Sequence, residues 1–257
     1  MSARRFFVEG VREPGARVEI SGSDARKITR VLRLADGDLI EVIDSAGTVF
    51  AASVAIDGTR VGARLEGAAP VDDSDDAADS PQFDLAQALP KGAKMDFIVE
   101  KTTELGVHAI LPFCSERTVA RDAGEAKLER WRRLAKTAAQ QCGRRTIPQI
   151  DAVIGSFEAL LERLGEYEVV LFPWELAPRA PMRDVLPGLL GGARRALIVV
   201  GPEGGFTHEE AEAARARGAA LLWMGPRILR TETAAMALLA IARALMQGRN
   251  CSQARRT

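Results

Sequence analysis

Little in this sequence suits a metal centre or a disulfide framework. Its 257 residues include three cysteines, Cys114, Cys142 and Cys251, odd in number and far apart, and two histidines, His108 and His208. No Cys-x-x-Cys pair or His-rich cluster appears, so no metal is expected. Aromatic residues are scarce at 5%, which leaves few surfaces on which bases could stack. No run of 18 or more uncharged apolar residues occurs, and the opening "MSARRFFVEGVREPGA" lacks the continuous apolar stretch of a signal peptide. A cytoplasmic chain with no membrane span is therefore expected. Net charge is missing too: 35 basic residues stand against 35 acidic ones, a balance that ordinarily argues against a nucleic-acid protein.

The charges are unevenly placed, however. Residues 71–84, "VDDSDDAADSPQFD", hold six Asp and no base, whereas Lys91 to Arg145 carry twelve Lys/Arg against seven Asp/Glu, and Arg227 to Thr257 six against one. With acid gathered in one stretch, basic surface is left elsewhere. The acidic stretch itself reads first as a solvated linker.

Residues 4–69 alternate in short apolar segments such as "ARVEI" and "DLIEVIDSAGTVFAASVAI", broken by Asp36-Gly37 and Asp57-Gly58 turn signals, which predicts a small β-rich domain at 1–70. Its helix candidate is "SDARKITRVLRL", in which Arg26, Arg30 and Arg33 fall at i, i+4 and i+7 with Lys27 beside them. Such a stripe suits phosphates, or is an ordinary solvated face. After a linker at 71–81 the period changes. "FDLAQAL", "VHAILPFC", "YEVVLFPW", "RALIVV" and "AALLWMG" read as strands. Helices are predicted over 91–106, 125–141, 156–164, from Thr207 to Gly218, and in the apolar run after "PRILRTET". Strand–helix alternation implies an α/β class with a parallel sheet at 82–249 and a tail at 250–257, and base rates favour an unknotted, doubly wound one.

In such sheets ligands sit beyond the carboxyl ends of strands, and three ends carry unusual residues: "LFPWE", "GPEGGF" and "MGPRILRTET". The glycine loop lacks the Gly-Lys-Ser/Thr ending of a Walker loop and the Gly-x-Gly-x-x-Gly dinucleotide fingerprint. Gly204 and Gly205 can take positive φ and let a ligand approach the backbone, with Pro202 stiffening the turn and Glu203 held on it. A tight strand-to-helix turn would need the same residues. In "RILRTET", capping explains the threonines. Arginines at a helix N-terminus instead suggest an anionic partner.

Five ordered runs, "KGAKMDFIVEKTTELGV", "PFCSERTV", "AAQQCGRRTIPQI", "VVGPEGGFTHEE" and "MGPRILRTETAAMAL", resemble the signatures of the RsmE family of SPOUT-class methyltransferases, over nearly the whole chain. The resemblance implies S-adenosylmethionine-dependent methylation of N3 of a uridine in small-subunit (16S) ribosomal RNA, with S-adenosylhomocysteine as product. The fold it implies is a PUA-like RNA-binding β-barrel followed by a SPOUT domain with a deep trefoil knot, in a homodimer. One position departs from the family: a His often stands four residues before the Val of "VLR", and here it is Lys27. A cation is kept, but a role that needs neutral imidazole is not.

The resemblance also assigns residues. Leu171, Phe172, Gly201, Gly205, Met224, Gly225, Ile228, Leu229 and Thr233 would bind the methyl donor. Arg230 would stabilise charge developing on the uracil oxygens, with Glu203 or Glu232 as proton acceptor. Arg26, Lys27, Arg30, Arg33, Lys91, Lys94 and Arg117 would contact the RNA or the assembled small subunit. A non-catalytic RNA-binding or ribosome-assembly protein, and a SPOUT enzyme acting on another base, are the alternatives. A nucleotide-dependent oxidoreductase lacks its fingerprint here.

Overall fold

The structure, a computed structural model, describes residues 4–69, 82–119 and 123–253, with side chains as far as Leu245. The expected linker at 71–81 lies outside them, as does the tail beyond Gln253. The chain divides into two compact units, one made of the N-terminal segment together with Lys136–Ile147 and the other of the remainder.

The first unit is a five-stranded sheet of β1 (Arg5–Phe7), β2 (Arg17–Ile20), β3 (Leu39–Ile43), β4 (Val49–Asp57) and β5 (Arg60–Ala68), in the order β1-β3-β4-β5-β2. Strand β1 runs parallel to β3, and the other pairs are antiparallel. The predicted Asp57-Gly58 signal closes the β4–β5 hairpin, with Gly58 at φ +58. Alternate residues, among them Val18, Ile20, Ile40, Val42, Phe50, Val54 and Leu65, bury one face. The expected helix over 23–34 is shorter and less regular. Helix α1 (Gly22–Arg26) runs into a π-helical turn, Lys27–Val31, and Arg33 then takes φ +51.

In the second unit, strands β6 (Gln82–Ala88), β7 (Ala109–Phe113), β8 (Gln149–Ile150), β9 (Val169–Pro173), β10 (Arg195–Val200) and β11 (Ala220–Leu222) lie in the order β11-β9-β10-β6-β7-β8. Every pairing is parallel. With both faces covered, central strands read as unbroken apolar runs, as "RALIVV" does. Leu171, Ile198 and Val200 face a cluster that holds residues of α2 (Lys94–Glu104), α5 (Met182–Leu190) and α7 (Thr231–Gln253). Phe172, Leu197 and Val199 face α4 (Phe157–Arg163) and α6 (His208–Ala216). Helix α6 starts as predicted, on a capping box between Thr207 and Glu210. Helix α5 has no counterpart in the sequence reading, because Pro181 at its start and Pro187 within it mask the apolar period. Strand β11 is three residues, shorter than "AALLWMG" suggests.

Helix α3 (Glu125–Cys142) is split between the units. Leu128, Trp131 and Ala135 join the core of the second. Lys136 and Gln140 belong to the first, where Lys136 pairs with the nearly buried Asp24 at 2.7 Å and Gln140 Nε2 donates to Asp24 at 3.2 Å.

At the amino ends of the parallel strands one carboxylate ties four of them together. Asp84 at the start of β6, its side chain 3% exposed, accepts from His108 at 2.8 Å, from the Tyr167 hydroxyl at 2.9 Å and from Arg195 at 3.2 Å. An ionised carboxylate only accepts, so His108 carries its hydrogen on Nδ1. Burial works against ionisation of Asp84, but the bonds from His108, Tyr167 and Arg195 outweigh it and hold the group below the ordinary carboxylate value. A depressed folded pKa means stability that is present above the unfolded value and lost as pH falls through the folded one. Asp84→Ala should cost roughly 3 kcal/mol in urea denaturation. Asp84→Asn should flatten the acid limb of stability below about pH 4, the ordinary carboxylate value; a limb equal to that of the unsubstituted protein would show that the carboxylate is not the strand tie.

Candidate functional site

Parallel strands present their carboxyl ends on one edge, so β9, β10 and β11 deliver "PWE", "GPEGGF" and "WMGPRILR" to the same place. Two cavities open there. One, of about 490 Å³, is lined by Lys94, Glu175, the loop from Gly201 to Phe206, Ile228, Leu229, Arg230 and Thr231, among others. The other, of about 480 Å³, is lined by Trp174, Leu176, Arg179, Trp223, Met224, Gly225, Arg227, Ile228 and Leu229, among others. Pro173, Glu175, Ile228, Leu229 and Ala234 border both. Each falls within the usual size range of small-molecule sites.

Partners from several elements hold the glycine loop. Glu203 Oε1 accepts from the Lys91 N–H at 3.0 Å and the Lys94 ammonium at 2.7 Å. Burial pushes its pKa up, but the bonds from Lys94 and Lys91 overcome this and leave it below the ordinary value. Arg117 donates to the carbonyls of Gly204 at 2.9 Å and Phe206 at 3.4 Å. Gly205 closes a turn onto Pro202 at φ +66, and a Cβ there would lie 3.4 Å from Glu175 Oε1. Gly204 does not use the positive φ open to it. Glycine suits it for another reason: a Cβ would come within 3.2 Å of the Arg117 Cβ. A Cβ on Gly201 would come within 3.0 Å of the Phe206 ring.

The residues expected to bind the donor are placed in three ways. Gly201, Gly205, Met224, Gly225, Ile228 and Leu229 line the cavities. Leu171 and Phe172 are fully enclosed in the cores on opposite faces of the sheet, and the next residue of β9, Pro173, borders both cavities. Thr233 is exposed in the first turn of α7 and lines neither. Gly225, at φ +109, has no atom within 4 Å of an added Cβ, so its bare backbone faces open space.

Of the three residues expected to act in the reaction, Arg230 is exposed at the 490 Å³ cavity, with its carbonyl accepting the Ala234 N–H at the start of α7. Glu203 stands in the same wall. Glu232 lines neither cavity, and its Oε2 is enclosed without a partner. Among the expected RNA contacts, Arg26, Arg30, Arg33 and Lys91 are exposed. Lys27 is half-buried, 3.4 Å from Gln140 Oε1 and above the Phe6 ring, while Lys94 and Arg117 serve the glycine loop. Trp174 and Glu175 fell within the candidate loop "LFPWE" but were given no role of their own, and Arg179 and Trp223 were given none either. Their signal was position alone, just past β9 and β11. Gly205→Ala, which forces a side chain into left-handed backbone, should lower stability by about 1–2 kcal/mol in chemical denaturation, and an unchanged midpoint would show that the turn does not need its φ.

Comparison with known proteins gives a consistent set of relatives. Residues 78–243 match the family model described as an RNA methyltransferase domain. The chain is 31% identical over 241 residues to ribosomal RNA small subunit methyltransferase E of Bacillus subtilis, covering 90% of this chain and 92% of that one. It is 30% identical over 250 residues to the protein of that name from Mycobacterium tuberculosis, covering 93% and 90%. Among solved structures, that of ribosomal RNA small subunit methyltransferase E from Neisseria gonorrhoeae bound to S-adenosyl methionine superposes with a TM-score of 0.82 at 28% identity, over 95% of this chain and 98% of that one.

Proposed function

The chain belongs to the family of ribosomal RNA small subunit methyltransferase E, and from that premise we propose that it methylates N3 of a uridine in small-subunit ribosomal RNA, with S-adenosylmethionine as donor. The observation that carries this reading is the convergence of three strand-end loops on adjoining cavities whose walls combine apolar side chains with bare glycine backbone. Such walls fit the donor: Met224, Ile228 and Leu229 would enclose the adenine, and the backbone at Gly201, Gly205 and Gly225 would take its polar groups. The bound donor supplies a methyl group on a sulfonium sulfur.

The protein's own contribution is alignment and charge. Uridine N3 is a poor nucleophile until its imide proton leaves, so the guanidinium of Arg230, exposed at the cavity, would stabilise the negative charge that spreads onto the flanking carbonyl oxygens. Glu203 stands ionised in the same wall and is better placed than Glu232 to receive the proton. Its lowered pKa makes it a weak base. Arg230 therefore bears the larger share, and Glu203 also holds the loop in place through Lys94 and Lys91.

On the same premise we propose that the first unit is PUA-like, that the second is knotted and that the chain forms a homodimer. The return of β10 between β9 and β6 favours the knot. Leu176, 69% exposed, and Ile228, 89% exposed, beside the cavities favour a second copy covering them.

Arg230→Ala should reduce methyl transfer at least a hundredfold with donor affinity, read by calorimetry, changed only a few-fold; an active variant would remove Arg230 from the mechanism. Deleting the gene should abolish 3-methyluridine in small-subunit RNA fragments analysed by mass spectrometry, and retained modification would overturn the assignment. RNA affinity should fall at least about tenfold between 50 and 200 mM salt, whereas a flat response would contradict phosphate-led binding.

A further inference from the structure

The apolar face that β6 turns toward α7 has one exception. Phe83 and Leu85 enter the cluster that holds Ala235, Leu238 and Leu239 of α7. Two residues further along that face stands Gln87, with none of its surface exposed. A buried amide is costly unless hydrogen bonds compensate. Gln87 Nε2 donates to the Ala88 carbonyl at 2.9 Å and to Thr231 Oγ1 at 2.9 Å, and Thr231 Oγ1 donates to the Gly201 carbonyl at 2.6 Å. Chemistry forces these directions. Carbonyls only accept, and the threonine hydroxyl has a single proton, so that proton goes to Gly201 and the amide nitrogen must face Thr231. Gln87 Oε1 is left enclosed without a partner, so the arrangement satisfies Thr231 and Gly201 at the expense of the amide's own oxygen.

We infer that Gln87 is a positioning residue: acting through Thr231, it locks the first residue of α7 to the first residue of the glycine loop. It thereby sets Leu229 and Arg230 against Gly201–Gly205 across the 490 Å³ cavity. The inference rests on that cavity being the transfer site.

Five variants of the full chain test it. Thr231→Val removes the central donor with little change of shape, Gln87→Leu removes the other, and Thr231→Ser keeps the chain of bonds. Hydrogen–deuterium exchange should quicken about tenfold at both 201–206 and 229–234 in Thr231→Val and in Gln87→Leu, while the Asp84 edge of the sheet stays unchanged. Thr231→Ser should recover most of that protection. Transfer should drop about tenfold in Thr231→Val and in Gln87→Leu and no further in their double variant, because the two residues act as one unit. Gln87→Glu reads direction. A protonated acid can donate to Thr231, whereas a carboxylate draws the Thr231 proton away from Gly201, so transfer in this variant should fall as pH rises, with no such limb in Gln87→Leu. Exchange rising at one segment only, losses that multiply in the double variant, or a Gln87→Glu profile parallel to that of the unsubstituted protein would each overturn the inference. If the unsubstituted protein neither bound S-adenosylmethionine nor transferred methyl, the functional reading would fall, and coupled exchange at the two segments would still uphold the lock.

Discussion

Where β10 ends, its hydrogen-bond ladder ends with it, and the carbonyls and carboxylate of the following loop must find other partners. A backbone group shut off from both water and partner is expensive, and this requirement organises the whole edge of the sheet. Arg117 takes the carbonyls of Gly204 and Phe206, Thr231 takes that of Gly201, and the Gly205 N–H returns to Pro202. Glu203 reaches Lys91 and Lys94, and Glu210, beyond its capping box, accepts the Glu116 N–H. Segments after β6, after β7 and at the start of α7 therefore converge on one short turn. Moving the start of α7 would strand the enclosed Gln87–Thr231 pair, whereas the exposed bonds to Glu203 and Gly204 could be exchanged for water.

The same requirement divides the cations into two kinds. Lys27, Lys94 and Arg117 already have partners within their own unit, so engaging a phosphate would mean sharing or surrendering a contact the fold uses. Arg30, Arg33, Lys91 and Arg227 are exposed and would give up only water and counterions, and Arg26, also exposed, a single bond to the Gly22 carbonyl at 3.4 Å. Phosphate affinity should accordingly come from the exposed group. Of the partnered group, Lys94 and Arg117 would transmit binding to the loop. A chain with zero formal charge can act on RNA in this way, because placement rather than total sets the local field.

What the sequence made legible was local. The apolar runs of β9 and β10 and the Thr207–Glu210 box announce themselves within a few residues, and so does the turn at Gly58. Features that depend on distant partners stayed hidden. Gln87 finds its partner 144 residues away, and in the sequence it is simply a polar residue in "FDLAQAL". Gly204 and Gly205 look equivalent side by side, yet one is needed for its φ and the other for the closeness of Arg117. Helix α3 reads as one amphipathic helix, and nothing in its period tells that Lys136 and Gln140 serve Asp24 in a different unit from Trp131. Helix α5 was hidden by its prolines, whose intrinsic preference the packing of Leu186 and Leu190 overrides.

The two edges of the parallel sheet are balanced in opposite ways. At the amino edge Asp84 is buried, and both of its oxygens are hydrogen-bonded. Among the described residues, three buried side-chain atoms lack a partner: Gln87 Oε1, Trp174 Nε1 and Glu232 Oε2. All three lie toward the carboxyl edge, near the end of β6, just after β9 and in the first turn of α7. A fold with no task at that edge would gain stability by pairing or removing these groups. Their presence there, beside cavities walled with bare glycine backbone, is the departure from local consistency that sites of function show. One edge supplies the rigidity, and the other can then keep polar atoms unsatisfied without loosening the sheet that holds them.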